Sequence, residues 1–332
     1  MNKLISVIAV CVFSFSLHAQ TVKLLNSGSK ASLRGLSVVT DKIVWVSGTE
    51  GTVGRSVDGG NTWRWTTVKD FEKTDFRDIE AFDSSTAIIM GIADPAYILK
   101  TNNGGQNWKV VFKDTTTGMF LDAMEFWNEQ SGIVIGDPMG DKIFIARTFD
   151  GGENWRGIPA ANIPTADKGE AFFASSGTNI RKLTNAEAVF VSGGLRARLF
   201  MRDKKIELPI LQGRESTGAN SVAVKNKKCL IVVGGDFKAK DDTIKNCVIT
   251  LDGGLTFSEP VIGPHGYRSC VEYLGKKKWI SCGLNGVDYS TDEGQKWAWI
   301  SKDSFHAVRK AKKGKVVYFS GGGGRIGKLV FE

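Results

Sequence analysis

The sequence is poor in the residues from which metal and redox sites are built. It has only three histidines and five cysteines in 332 residues. One histidine and one cysteine lie within the first nineteen residues, and no remaining cysteine spacing matches a zinc site or a Cys-x-x-Cys redox pair. The sequence therefore predicts no metal site and no cofactor.

Long hydrophobic runs are also scarce, and one apolar stretch, residues 4–17, lies near the amino terminus. It follows Lys3 and precedes the small residue Ala19, which is the pattern of a secretory signal. The stretch is shorter than the roughly 20 apolar residues that span a bilayer. We expect residues 1–19 to be a signal peptide. We expect residues 20–332 to be exported and soluble, either periplasmic or secreted.

Helical periodicity is nearly absent, and alternating apolar residues separated by turns take its place. The chain has 39 glycines against 7 prolines, which suits many tight turns. One eight-residue pattern, here called the octet, recurs at 56–63, 101–108, 148–155, 250–257 and 290–297. Each copy has Ser or Thr first, Asp or Asn third and an aromatic residue last. Recurrence at a spacing of about 40–50 residues indicates a propeller or a solenoid.

Alignment on the octets gives seven units of four strands each. Their inner strands are expected to begin near Leu33, Phe76, Phe120, Glu170, Ala219, Tyr267 and Phe305. The fourth unit lacks the octet, and the seventh has only three strands of its own. Residues 21–28 can supply the missing outer strand, which would remove two exposed sheet edges. The sequence predicts an all-β protein, a seven-bladed β-propeller closed by its N-terminal strand.

Four cysteines remain after removal of the signal. Counting back from the turn at residues 274–277 places Cys270 and Cys282 almost opposite each other on adjacent strands. In an oxidising compartment the two could form a disulfide, and the alternative is a pair of buried free thiols. Cys229 and Cys247 are out of register by about three residues in the same kind of count.

Propeller topology gathers several charged residues at one mouth of the central channel. The second position of the inner strands carries Arg34, Arg77, Leu121, Ala171, Asn220, Arg268 and His306 in blade order. The neighbouring strand starts and loops add Tyr267, Glu170, Asp94, Asp137, Arg196, Asp236 and Asp288. Arginine binds carboxylate or phosphate through two parallel hydrogen bonds, so the sequence predicts a site for an acidic group here. The alternative is a purely structural cluster, in which the arginines pair with Asp78, Asp122 and Glu170.

The octet resembles the Asp-box, or bacterial neuraminidase repeat, and the first copy matches it at every position. The resemblance implies a structural turn, so the octet side chains Asp58, Asn103, Asp150, Asp252 and Asp292 are expected to support the fold. Over the whole mature chain, the octets and Phe76-Arg77-Asp78-Ile79 resemble the photosystem II stability/assembly factor family. That likeness implies a binding protein that helps to assemble envelope membrane complexes. Relatives are often labelled oxidoreductases, but no redox motif in this sequence supports that label.

A different class of function stays open at this stage. Arg34 stands where sialidases carry the first arginine of a carboxylate-binding triad, although the proline that follows it in sialidases is absent. Tyr267 beside Arg268, with Glu170 or Asp137 as acid and base, would suit hydrolysis of an acidic glycan. The formal net charge of +9, or +8 without Lys3, does not indicate a nucleic-acid partner in an exported chain without stacking motifs. We expect a monomer that binds a protein, an acidic glycan or a small molecule.

Overall fold

The computed structural model describes residues 20–331, and the predicted signal peptide lies outside them. The chain begins with strand β1 (Gln20–Leu25). Blade 1 contains β2 (Leu33–Val38), β3 (Val44–Gly48), β4 (Thr52–Ser56) and β5 (Arg64–Thr67). Blade 2 contains β6 (Phe76–Ala81), β7 (Ala87–Gly91), β8 (Ala96–Thr101) and β9 (Lys109–Asp114). Blade 3 contains β10 (Leu121–Phe126), β11 (Gly132–Met139), β12 (Lys142–Thr148) and β13 (Arg156–Gly157).

A 3-10 turn (Ala160–Asn162) and the short strand β14 (Glu170–Ala171) precede blade 4. Blade 4 contains β15 (Ile180–Lys182) and β16 (Ala188–Val191), then, after the short β17 (Gly193–Gly194), β18 (Arg198–Met201) and β19 (Lys204–Glu207). Blade 5 contains β20 (Thr217–Val224), β21 (Leu230–Asp236) and β22 (Cys247–Thr250), and β14 and β17 extend its sheet. Blade 6 contains β23 (Cys270–Gly275), β24 (Lys278–Gly283), β25 (Gly286–Ser290) and β26 (Ala298–Ser301).

Blade 7 contains β27 (Ala307–Lys310), β28 (Val317–Ser320) and β29 (Ile326–Phe331), with a 3-10 turn (Gly322–Gly324) before its third strand. Its outer strand is β1, which pairs with β29 in antiparallel register from Gln20↔Phe331 to Leu25↔Ile326. The seven-bladed propeller and the closure by the N-terminal strand are thus confirmed. The closing strand covers 20–25, a slightly shorter segment than the predicted 21–28.

The apolar core is divided among the contacts between neighbouring blades. Residues 20–331 contain seven buried clusters, and each joins the facing surfaces of two adjacent blades, from blades 1 and 2 round to blades 7 and 1. The cluster between blades 1 and 2, for example, packs Trp45 and Val53 against Ile79 and Ile89. Side chains alternate along a strand, so each sheet buries one face against each neighbour. Ring closure is therefore needed to cover the first and the last blade.

All five octets form the same turn. In the first, Ser56 Oγ accepts a hydrogen bond from the Gly60 amide at 2.8 Å and donates one to Asp58 Oδ1 at 2.9 Å. Asp58 Oδ1 accepts from the Thr62 amide at 2.9 Å, and Gly59 and Gly60 adopt φ of 78° and 83°. These hydrogen bonds, above all those from Thr62, lower the pKa of Asp58 to about 2. The Asp side chain therefore fixes the loop as an anion.

The fourth blade differs from the prediction. Its inner strand begins at Ile180, ten residues after the expected start at Glu170, and Glu170 belongs instead to β14. Because this blade has no octet, its strands could not be aligned with those of the other blades. The residues between β14 and β15 leave the sheet and enter the channel.

Cys270 and Cys282 lie directly opposite each other on β23 and β24, as the register count predicts. Both are buried free thiols in this structure, as are Cys229 and Cys247. Cys247 faces Val233 rather than Cys229, so the second pair is out of register, as expected.

Candidate functional site

The residues that leave the fourth blade, 172–178, cross the central channel, and we call them the crossing segment. The segment contacts all six other blades. Its hydrogen-bond partners are Arg34 of blade 1, Asp137 of blade 3, Ser221 of blade 5, Ser269 before the inner strand of blade 6 and Arg309 of blade 7. Asp78 of blade 2 fills the space where Gly177, with φ of 65°, would carry a side chain. One cavity lies on each side of the segment.

The first cavity lies at the mouth where the inner strands begin, and we call it the rim cavity. Its volume is about 420 Å³. The polar and charged side chains that line it include Arg34, Arg77, Asp137, Asn220, Tyr267 and His306. Its apolar wall includes Phe120, Phe173, Phe237 and Leu284. The rim cavity therefore brings together five of the predicted site residues: Arg34, Arg77, Asp137, Tyr267 and His306.

Arg34 and Arg77 supply the positive charge of the rim cavity. Arg77 Nε donates to Asp75 Oδ2 at 2.7 Å. Arg34 forms no ion pair with any of residues 20–331, and its Nη1 reaches only the Ser175 carbonyl, at 3.5 Å. Burial, and then the neighbouring charge of Arg77, lowers the pKa of Arg34. A guanidinium that is largely desolvated beside a like charge is costly unless an anion joins it.

Neutral polar groups complete the cavity wall. Burial, followed by the charges of Arg34 and Arg77, lowers the pKa of His306 to about 3, so its imidazole is uncharged at pH 7. The ring Nε2 lies 3.1 Å from Ser32 Oγ. The Tyr267 hydroxyl donates to Asn220 Oδ1 at 2.8 Å, and burial raises its pKa. These groups offer hydrogen-bond donors and acceptors without adding charge.

The pKa values of two carboxyl groups near the arginines are raised. Burial raises the pKa of Asp137 to about 6, although its Oδ1 accepts a hydrogen bond from the Phe172 amide at 2.8 Å. Burial, and then the charge of Asp137, raises the pKa of Asp122 well above its ordinary value. The anionic form of Asp122 is therefore disfavoured, whereas Asp137, with a pKa of about 6, is mostly ionised at pH 7 and offsets part of the arginine charge.

Arg268 was predicted in this cluster and lies elsewhere. A side chain added at Gly48 or at Gly283 would meet the Cα of Leu33 or of Arg268, respectively, at 3.1 Å, so Arg268 corresponds to Leu33 and Ser269 to Arg34. The same comparison at Gly136 makes Leu121 the counterpart of Leu33, so Asp122 is the counterpart of Arg34 in blade 3, although it is fully buried and does not line the cavity. A shift of one residue exchanges the two faces of a strand. Arg268 is 0% exposed, and it pairs with Asp288, which is 1% exposed.

Other predicted site residues are occupied in ion pairs away from the rim cavity. Glu170 is buried and accepts a hydrogen bond from Arg198 Nε at 3.0 Å. Asp236 is buried and lies 3.2 Å from Arg214. Exposed Arg196 pairs with Asp167 and Glu207, and Asp94 is exposed before Pro95. The alternative in which the rim arginines pair with Asp78, Asp122 and Glu170 does not form either, because the carboxylate bonded to Arg77 is that of Asp75.

Only part of the sialidase-like arrangement forms around Tyr267: Asp137 lines the same cavity, but Arg268 and Glu170 do not. Arg268 points away from the rim cavity, and Glu170 is held by Arg198, so neither can act on a ligand there. The aromatic wall was missed by the sequence analysis. Phe237 packs edge-on against Phe173 at 5.9 Å and against Tyr267 at 6.4 Å. Its position one residue after Asp236, at the end of β21, was the available signal.

The second cavity, of about 430 Å³, lies where the inner strands end. Several of its charges are paired: Arg181 contacts Glu125 at 3.4 Å and Glu272 at 2.9 Å, and Lys312 contacts Glu80 at 2.5 Å. Burial raises the pKa values of Glu125 and Glu272, with Arg181 opposing the shift. Arg309 also lines this cavity without an ion pair among the described residues, but its guanidinium donates to the Ser176 carbonyl at 2.9 Å and to the Val308 carbonyl at 3.2 Å, whereas Arg34 reaches one carbonyl at 3.5 Å.

Two further features limit the chemistry of the described chain. Within residues 20–331, no group of three or more His, Cys, Asp or Glu side chains could hold a metal ion. Over the same residues, no helix is long and apolar enough to cross a membrane.

The fold defines the class of protein, a seven-bladed β-propeller. Among solved structures it is similar to YCF48 bound to D1 peptide, with a TM-score of 0.67 and 16% identity over 99% of this chain and 100% of that one. It is also similar to YCF48 from Cyanidioschyzon merolae, with a TM-score of 0.65 and 15% identity over 93% and 98% of the two chains. A third similar structure is the WD40 propeller domain of Doa1, with a TM-score of 0.63 and 15% identity over 96% of this chain and 98% of that one. No protein-family model and no curated protein matches the chain. At these identities the likeness shows the fold alone.

Proposed function

We propose that this chain is an exported binding protein, of the assembly-factor kind, that holds an acidic group of a protein partner in the rim cavity. The observation that carries the proposal is Arg34, a largely desolvated guanidinium without an ion pair, beside Arg77 at the mouth of the channel. A carboxylate or phosphate between the two would form charge-assisted hydrogen bonds and relieve their mutual repulsion.

Two observations favour a protein over an acidic glycan or a small metabolite. The wall opposite the arginines is aromatic, and aromatic residues with arginine are enriched where proteins bind one another. One structural neighbour with the same fold is YCF48, which was solved with a D1 peptide bound. The resemblance of the octets and of Phe76-Arg77-Asp78-Ile79 to exported assembly factors supports an envelope membrane complex as the source of the partner.

The proposal is tested by capture from detergent-solubilised envelope membranes on the immobilised mature protein, followed by quantitative mass spectrometry. We expect a partner that is retained by the wild type and lost by Arg34→Ala and by Arg77→Ala. Loss of one charge-assisted contact, about 1.5–3 kcal/mol, corresponds to at least about tenfold weaker binding. Arg34→Lys should recover only part of it, because lysine lacks the two-pronged donor geometry.

Arg196→Ala is the matched control, since Arg196 is an exposed arginine outside the rim cavity. It should capture the same partner as the wild type. If both rim variants retain every captured protein while they melt at much lower temperature, the two arginines are structural and the proposal fails. Export is tested separately, by sequencing the amino terminus of the mature protein, which should begin at Gln20.

A further inference from the structure

The octet of blade 5 differs from the other octets because it exposes two leucine side chains. The second and sixth octet positions of blade 5 carry Leu251 and Leu255, which are 58% and 77% exposed. The sixth position is polar in the other four octets, with Asn61, Gln106, Glu153 and Gln295. Two exposed leucines on one tight turn are unexpected in a loop whose conformation is already fixed by Asp252 and its hydrogen bonds.

Two more exposed aliphatic residues, Val261 and Ile262, follow a few positions after the octet of blade 5. Val261 is 73% exposed and Ile262 is 53% exposed. Ile262 is held against the octet of blade 6, because its amide donates to the Gln295 carbonyl at 3.0 Å and its carbonyl accepts from the Trp297 amide at 3.0 Å. The four aliphatic side chains therefore lie along two adjoining blades. Isolated exposed aliphatic residues are ordinary, but a group of this kind marks a contact surface.

Lysines surround this group. The turns between first and second strands of blades 5 and 6 carry exposed Lys227, Lys228, Lys276 and Lys277, and the blade 6 octet adds Lys296. Hydrogen bonds join these turns to the octets: the Gly253 amide donates to the Lys228 carbonyl at 2.9 Å, and the Glu293 amide donates to the Lys277 carbonyl at 3.1 Å. The lysines and the aliphatic residues thus belong to one continuous surface.

The acids of the same region offset this charge only in part. The carboxylates of Asp252 and Asp292 accept hydrogen bonds within their own octets. Glu293 pairs with Lys225 at 2.5 Å, and Glu259 is exposed. The surface made of Leu251, Leu255, Val261, Ile262 and the five exposed lysines, which we call the leucine–lysine surface, therefore has a positive excess.

We propose that the leucine–lysine surface docks the propeller on an anionic lipid bilayer. Each lysine near such a bilayer is attracted by its surface potential, and exposed leucines enter the interface between headgroups and acyl chains. The composition argues against a protein partner, because lysine is depleted in protein interfaces, and the segments 225–229, 250–262, 276–278 and 290–297 contain no arginine. The binding should be reversible and should weaken as salt is added.

The docking orientation follows from the topology. First-to-second and third-to-fourth strand turns lie at one end of the blades, whereas the rim cavity lies at the end where inner strands begin. A propeller that rests on the leucine–lysine surface turns the rim cavity away from the lipid. Lipid docking and binding of an acidic group at Arg34 thus use different faces, and each can be tested without the other.

The test is co-sedimentation of the mature protein with phosphatidylcholine vesicles, with and without phosphatidylglycerol. We expect binding to the vesicles that contain phosphatidylglycerol and release by added salt. Leu251→Ser/Leu255→Ser should weaken the binding at least about tenfold, from the loss of two apolar contacts. Lys227→Gln/Lys228→Gln should weaken it and reduce its dependence on salt.

Matched controls lie elsewhere on the molecule. Val57→Ser/Leu195→Ser removes two aliphatic side chains of similar exposure, 50% and 49%, and Lys30→Gln/Lys238→Gln removes two exposed lysines. Both controls should bind vesicles as the wild type does. No binding of the wild type at low salt, or equal loss in test and control variants, would overturn the proposal. A dimer that the leucine variant abolishes, without vesicle binding by the wild type, would also overturn it in favour of self-association.

Discussion

Arg268 and Asp288 form an ion pair that is wholly inside blade 6. Arg268 Nε donates to Asp288 Oδ2 at 2.6 Å, and Nη1 donates to the Tyr267 carbonyl at 2.8 Å. The two side chains are 0% and 1% exposed, so neither charge has water as an alternative partner. Removal of one partner from a buried pair leaves the other charge without compensation.

Arg268→Ala should therefore lower the free energy of unfolding by about 3–5 kcal/mol, the range for breaking a buried pair. Urea denaturation followed by tryptophan fluorescence measures the change. Arg196→Ala, in an exposed pair, should leave the unfolding curve unchanged. If Arg268→Ala were as stable as the wild type but bound the partner more weakly, Arg268 would be a binding residue and not a structural one.

The octet turns give a prediction that depends on pH. The pKa of Asp58 is held at about 2, below its value in an unfolded chain, so Asp58 stabilises the fold above about pH 4 and this contribution is lost as the pH falls towards 2. Asp58→Ala should melt several degrees below the wild type at pH 7, and the difference should shrink in acid. Asp58→Asn should melt between the two, because blade 2 makes the same turn with Asn103. A difference that stays constant down to pH 2 would show that the charge is not involved.

His306 gives a second prediction that depends on pH, because the fold favours the neutral form of its imidazole. Its pKa is lowered to about 3, against about 6.5 when unfolded, so the unfolded chain binds a proton that the folded chain does not. This residue destabilises the fold progressively as the pH falls from about 6.5 towards 3. The melting temperature of His306→Gln should therefore fall less than that of the wild type between pH 7 and pH 4. A larger loss in the variant would contradict a neutral buried imidazole.

Closure of the ring depends on β1. Deletion of residues 20–25 leaves the edge of β29 unpaired and uncovers the apolar cluster between blades 6 and 7, which Val22 partly covers. We expect aggregation, measured by light scattering, and a lower melting temperature. Val22→Asp should reproduce the lower melting temperature, whereas Lys23→Asp, at the exposed neighbour, should not. A deletion variant as soluble and stable as the wild type would show that the ring closes without this strand.

The sequence predicted the fold well because the octets are local. Ser56, Asp58 and Gly60 lie within one turn, and their hydrogen bonds can be read from spacing alone. The spacing of five such turns then set the number of blades. The channel residues were harder, because the octet spacing does not mark where an inner strand begins, and four inner strands carry a bulge near their start, as between Leu33 and Gly35. A one-residue error there placed Arg268 in the channel and left Asp122 out.

The crossing segment could not have been predicted by the same reasoning. It has neither octet nor strand periodicity, and its partners come from six other blades. The absence of an octet in blade 4 did show where the alignment was weak. The bonds that fix the segment, such as Ser176 Oγ to the Ser269 carbonyl at 2.8 Å, join residues 93 positions apart and depend on the assembled ring.

That assembly has a consequence for the order of folding. Ser175 meets Arg34 across 141 positions of sequence, and Ser176 meets Arg309 across 133, so the segment gains its full set of partners only when the two ends of the chain have come together. Contacts of such long range form late. The amide of Val222, which donates to the Thr178 carbonyl at 3.0 Å, should therefore exchange its hydrogen for deuterium only when the ring opens. The crossing segment thus holds the closed ring together, and exchange at the Val222 amide measures how often the ring opens.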